Sequence, residues 1–141
     1  MSRYRVSRSC ALSLNQPLLI LLLVVLPLAA VFASDLSQIE PTALRERIEN
    51  QDATLLVLDV RTPEEYAAGH VPGAINIPYT HLPARIAEIA GADEKDIVLY
   101  CVSGRRAAIA AERLQANGFT RLLHLQGDMP KWQEKKLPVE K

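Results

Sequence analysis

The sequence predicts an α/β domain with a mostly parallel sheet, and three observations carry that prediction. Residues 54–60 (TLLVLDV) and 97–100 (IVLY) are continuous apolar runs of strand length. Such runs fit strands buried on both faces, as parallel sheets require. Segments of helical periodicity alternate with them at short intervals, the pattern of βαβ units. The third observation is a change in composition near residue 33, which leaves 108 residues for one domain with one core.

The first 33 residues read as a secretory signal peptide. Arg3, Arg5 and Arg8 form a basic start without acids, and residues 17–33 carry no charge. Val31-Phe32-Ala33 then supplies a small-residue cleavage site before Ser34 and Asp35. The apolar stretch is short for a membrane span of about 20 residues, so an uncleaved anchor is the lesser alternative. The expectation is a domain at 34–141, exported to the periplasm or secreted, with no stable membrane association after cleavage. All 16 acidic residues lie beyond residue 33, against 13 basic ones, giving that domain a net charge of −3. A nucleic-acid partner would call for a strongly basic face, and none is predicted.

Along the domain, residues 41–50 predict a helix, with Pro41 in its first turn and Leu44 and Ile48 on one face. The strand at 54–60 follows. Thr62-Pro63-Glu64-Glu65 is a capping box that opens a short helix ending at Gly69. Residues 74–77 make a short strand between Pro72-Gly73 and Pro78. Leu82, Ile86 and Ile89 predict one further helix, stopped by Gly91. After the strand at 97–100, a helix runs over 105–117 with Ala107, Ala110, Ala111 and Leu114 as its core stripe and Gly118 beyond its end. Residues 122–125 form another strand. Asp128 is expected to cap a last helix carrying Met129 and Trp132, and the charged tail from Lys135 is expected to fray.

The chemistry concentrates at Cys101-Val102-Ser103-Gly104-Arg105-Arg106, between a strand and a helix. Cys10 leaves with the leader, so Cys101 is the one cysteine of the domain and has no partner within it. In an open α/β sheet, ligands bind beyond the carboxyl ends of the strands, where Cys101 falls. A loop closing onto a helix N-terminus turns backbone N–H groups inward and favours an anion. A thiolate there is stabilised by the helix and by nearby guanidinium groups. Gly104 permits positive φ, Ser103 adds a hydroxyl donor, and Arg105 and Arg106 bring forks suited to oxyanions. A lone cysteine after a strand, a pair of arginines or a glycine before a helix would each be unremarkable; the combination marks a nucleophile that handles anions.

These residues lie within longer motifs. Residues 58–66 (LDVRTPEEY), residues 69–78 (GHVPGAINIP) and Tyr100-Cys101 with Gly104 and Arg106 resemble the signatures of the single-domain rhodanese family, and in particular its exported phage-shock-type members. The resemblance covers about residues 36–134. It implies a five-stranded, mostly parallel sheet with helices on both faces. It also implies a thiosulfate sulfurtransferase whose cysteine carries sulfane sulfur as a persulfide, cradled by the backbone of Val102, Ser103, Gly104, Arg105 and Arg106. The implied partners are a small-molecule sulfur donor and a thiol or cyanide acceptor, with no metal and no organic cofactor. Phosphatases of the same fold place an arginine six positions after the cysteine, where this chain has Ala107. The loop therefore has sulfur-transfer length. Many relatives carry Gly-Gly where this chain has Gly127-Asp128.

Two alternatives share this site: a persulfide or polysulfide carrier serving a partner protein, and a thiol-dependent oxyanion reductase such as an arsenate reductase. Asp59 and Arg61 are read as a structural pair, with Arg61 also lending charge near the pocket. Trp132 is read as core or pocket wall, and Tyr79 and Thr80 as a rim. His70, His81 and His124 lack zinc-ligand spacing, and none is placed as a base for Cys101.

Overall fold

The computed structural model describes residues 36–141. The leader and the cut after Ala33 lie outside the described residues. Five strands, β1 (Ser37–Ile39), β2 (Leu55–Asp59), β3 (Ile75–Asn76), β4 (Asp96–Tyr100) and β5 (Leu122–Leu125), form one sheet in the order β1-β5-β4-β2-β3. Every pairing between them is parallel. β4 is central, held by β2 through pairs such as Val57↔Val98 and by β5 through pairs such as Leu99↔His124.

The apolar runs are continuous because both faces are covered. Along β4, Ile97 and Leu99 point into one cluster, with Ala107, Ala110, Ala111 and Leu114 of helix α4 (Arg105–Ala116). Val98 and Tyr100 point into the other, with Leu44 of α1 (Pro41–Glu49), Tyr66 of α2 (Pro63–Ala68) and Met129 and Trp132 of α5 (Asp128–Glu134). Each fully buried aliphatic side chain contributes about 1.5–3 kcal/mol, so these two layers hold the sheet in register. The Thr62–Glu65 capping box forms in both directions: Thr62 Oγ1 accepts from the Glu65 N–H at 3.3 Å and the Glu65 carboxylate from the Thr62 N–H at 2.9 Å.

Several expectations are corrected. β1 is a three-residue edge strand that the sequence pattern did not reveal, and it supplies the fifth strand. The helix expected through Ile89 is two short pieces, α3 (Leu82–Arg85) and a 3₁₀ turn over Ile86–Ile89. The strand at 74–77 shrinks to two residues. Asp128 does not cap α5; Gly127 takes the N-cap position at φ 72° and the Asp128 side chain turns inward.

The tail is also tied down rather than frayed. Trp132 Nε1 donates to the Pro138 carbonyl at 2.7 Å. His70 and Glu140 exchange backbone hydrogen bonds at 3.0 Å each, and the Glu140 carboxylate accepts from the Gly73 N–H at 2.9 Å. A charged sequence gives no hint of such long-range partners.

Candidate active site

Cys101 follows β4 directly, at the carboxyl edge of the sheet, and is fully buried. Its neighbours on the two sides explain the position. β2 leads outward to β3 while β5 lies on the other flank of β4, so the strand order reverses here, which is where open parallel sheets bind ligands.

The loop turns back on the sulfur. The Gly104 N–H points at Cys101 Sγ, 3.2 Å away. Gly104 has φ 80° and is the N-cap of α4 without a capping side chain. The helix therefore starts with no side-chain oxygen from its N-cap occupying its free N–H groups, which leaves the positive end of α4 facing the loop. A Cβ on Gly104 would come within 3.2 Å of His124 Cε1. Gly104→Ala should therefore cost about 1 kcal/mol or more from backbone strain alone. It should also displace the amide from Sγ, so activity should fall by more than stability; denaturant melts beside turnover measurements check this.

The arginines divide. Arg105 is exposed and makes no ion pair among the described residues. Arg106 turns its fork to Glu65, with Nη1 and Nη2 at 2.6 and 2.9 Å from the two carboxylate oxygens. This bridge ties the start of α4 to the first turn of α2 across the edge of the sheet. Arg106 beside it holds Glu65 down from 4.5 to about 2. The linkage has a definite sign. Glu65 ionises more readily folded than unfolded, so its stabilisation is complete above pH 4.5 and is lost as pH falls towards about 2. Glu65→Gln should flatten acid-induced destabilisation across that window, read by urea unfolding at stepped pH.

Arg61 and Asp59 pair as read. Arg61 Nη2 lies 2.6 Å from Asp59 Oδ2, Nε lies 3.0 Å from both oxygens, and Nη2 also donates to the Gly69 carbonyl at 2.9 Å. The Arg61 guanidinium sits over the Tyr100 ring at 5.4 Å. Its Nε and Nη2 donors are thus spent on structure. Trp132 is core and lines a cavity of about 320 Å³ with Arg45, Ile48, Pro72 and Val139; no residue of the 101–106 loop lines it. Val102 and Ser103 are exposed at the loop's outer face. Tyr79 packs against the cluster that contains Cys101, and its carbonyl accepts from Arg113. His70 stacks on Tyr66 with ring centroids 3.6 Å apart and bonds the Tyr66 carbonyl, a structural role.

One group beside the loop escaped the sequence reading. The Cys101 N–H donates to Asp128 Oδ1 at 2.7 Å, and the Cys101 carbonyl accepts from the Met129 N–H at 3.2 Å. The first turn of α5 therefore clamps the main chain of Cys101 on both sides. His124 Nε2 is 3.1 Å from each Asp128 oxygen. The available signal was an acid after Gly127 with a histidine four residues before it. Asp128 has a left-handed backbone, φ 55°, a conformation that glycine also adopts readily.

The rhodanese-like domain model matches residues 40–135 of this chain. The chain belongs to the rhodanese-like domain family. A sulfurtransferase of Allochromatium vinosum is 36% identical over 103 residues, covering 73% of this chain and 94% of that protein. The thiosulfate sulfurtransferase PspE of Escherichia coli is 39% identical over 70 residues, covering 50% of this chain and 67% of PspE. A rhodanese-related protein of Thermoplasma volcanium superposes with a TM-score of 0.63 at 30% identity, covering 74% of this chain and 97% of that one. This rhodanese-like domain thus has the fold and the sulfurtransferase kinship that its motifs implied. Among its described residues no cluster of histidine, cysteine or carboxylate is arranged to hold a metal ion.

Proposed function

We propose that this rhodanese-like domain is a thiosulfate sulfurtransferase that works through a persulfide on Cys101. The observation that carries the reading is the Gly104 N–H aimed at Sγ from the start of α4, at the carboxyl end of the central strand. That arrangement suits an anionic sulfur. The Cys101 thiolate attacks the outer sulfur of thiosulfate, the S–S bond breaks, and sulfite leaves with the bonding pair. The terminal sulfur of the persulfide then occupies the mouth of the loop, within reach of the backbone of Val102, Ser103, Gly104, Arg105 and Arg106. A nucleophile attacks that sulfur, the new S–S bond breaks, and the Cys101 thiolate is regenerated. With cyanide as acceptor the product is thiocyanate. Arg105, uncommitted and exposed, is the residue suited to guide a dianionic donor to the loop.

The reading extends to location. The basic, apolar and small-residue order of residues 1–33 supports export, with the domain working in the periplasm or outside the cell.

The test is direct. Protein incubated with thiosulfate should gain the mass of one sulfur atom on the peptide containing Cys101, and should release thiocyanate on addition of cyanide. Sulfur loading without turnover would assign the carrier role instead. Reduction of arsenate with no sulfur loading would sink the proposal.

A further inference from the structure

We propose that His124 is a positioning residue whose Nε2–H holds Asp128 and offsets its charge, so that an anionic sulfur can be held at Cys101; this rests on the reading of Cys101 as the nucleophile. Three carboxylates lie around the carboxyl edge of the sheet. Glu65 faces the Arg106 fork and Asp59 faces that of Arg61. Among the described residues Asp128 has neither arginine nor lysine within ion-pair distance, although it is 3% exposed and its Oδ1 accepts from the Cys101 N–H itself. A carboxylate on the nucleophile's own amide, if left uncompensated, opposes negative charge on Sγ.

The group that faces it is His124, whose Nε2 is 3.1 Å from both Asp128 oxygens. Period-two alternation along β5 turns His124 to the same face as Leu122, towards α4. There the ring edge meets Gly104: a Cβ on that glycine would lie 3.2 Å from His124 Cε1 and 3.5 Å from Asp128 Oδ2. Gly104 in turn carries the N–H directed at Sγ. The imidazole therefore bridges the buried carboxylate and the sulfur cradle. The Nε2–H donor here offsets Asp128, whereas Arg106 and Arg61 face their own acids.

The experiment reads thiolate at Cys101 without requiring sulfur transfer. Full-length protein and variants are alkylated with iodoacetamide at neutral pH and followed by intact mass. His124→Gln should slow alkylation by roughly tenfold, because less of the sulfur is then held as thiolate. His124→Gln with Asp128→Asn should recover most of the rate, because the uncompensated charge is gone while an acceptor for the Cys101 N–H remains. Asp128→Asn alone should be no slower than this double variant, which keeps a test in hand if His124→Gln fails to fold. Unchanged alkylation in folded His124→Gln, or a double variant as slow as the single one, overturns the proposal. Parallel loading from thiosulfate separates the two claims: the predicted alkylation pattern without sulfur loading in the wild type would remove the sulfurtransferase reading and leave the role of His124 standing.

Discussion

Cys101→Ser is expected to reduce sulfur transfer by at least about 10³-fold while leaving the fold intact, because on the proposed mechanism the nucleophile that forms the covalent intermediate has no substitute in the loop. The hydroxyl is smaller than the thiol and fits a fully buried site. The Gly104 N–H would then find an oxygen acceptor instead of sulfur, and the clamp from Asp128 and Met129 acts on the main chain, which is unchanged. The unfolding midpoint should therefore move little. Thiocyanate release and persulfide mass should both vanish. Retention of either in the serine variant would remove Cys101 from the mechanism.

Arg61→Ala should produce the second large effect, on stability. It removes the guanidinium that satisfies both oxygens of Asp59, a carboxylate with no exposed surface, and it also strips a donor from the Gly69 carbonyl. Breaking a buried pair by removing one partner typically costs about 3–5 kcal/mol. Against a total of about 5–15 kcal/mol for an ordinary domain, the variant would be marginal at best. Urea unfolding measures it. A paired replacement, Asp59→Leu with Arg61→Met, should be less destabilised than Arg61→Ala alone, since no orphaned charge remains. An equal loss in both would place the cost in packing over Tyr100 instead of in the ion pair.

The features that sequence alone predicted are those whose causes are local. The capping box at Thr62–Glu65 involves residues three apart, and it forms as expected. The stripe on α4 is a matter of helical period, and all four of its residues are buried. The runs of β2 and β4 are continuous because helices cover both faces, and that composition is visible before any pairing is known. The missed features have distant causes. β1 is short, at the sheet edge and mostly exposed, so it lacks an apolar signal and exists because β5 offers it hydrogen bonds. The tail becomes ordered through Trp132, His70 and Gly73, which lie 6 to 70 positions away along the chain. In the site, the position of Cys101 followed from strand and helix order. The commitment of Arg106 to Glu65, 41 residues earlier, depends on α2 and α4 meeting at one edge of the sheet. Asp128 looked like a helix cap because acids at that position usually are; its inward turn depends on the Cys101 N–H 27 residues before it.

The complete burial of Cys101 has a consequence for what can react with it. Cys101 has no exposed surface while Val102 and Ser103 beside it are exposed, so a reactant must pass the loop to reach Sγ, and a slender end does so most easily. Thiosulfate, cyanide and the terminus of a polysulfide chain are rods of that kind, whereas the flat surface of a folded protein is not. The loop would therefore favour reactants by shape. If the domain is exported as proposed, the same burial would keep its lone thiol from random mixed disulfides. A protein acceptor would have to present its own cysteine on a protruding finger of chain, which narrows the search for one to proteins built that way.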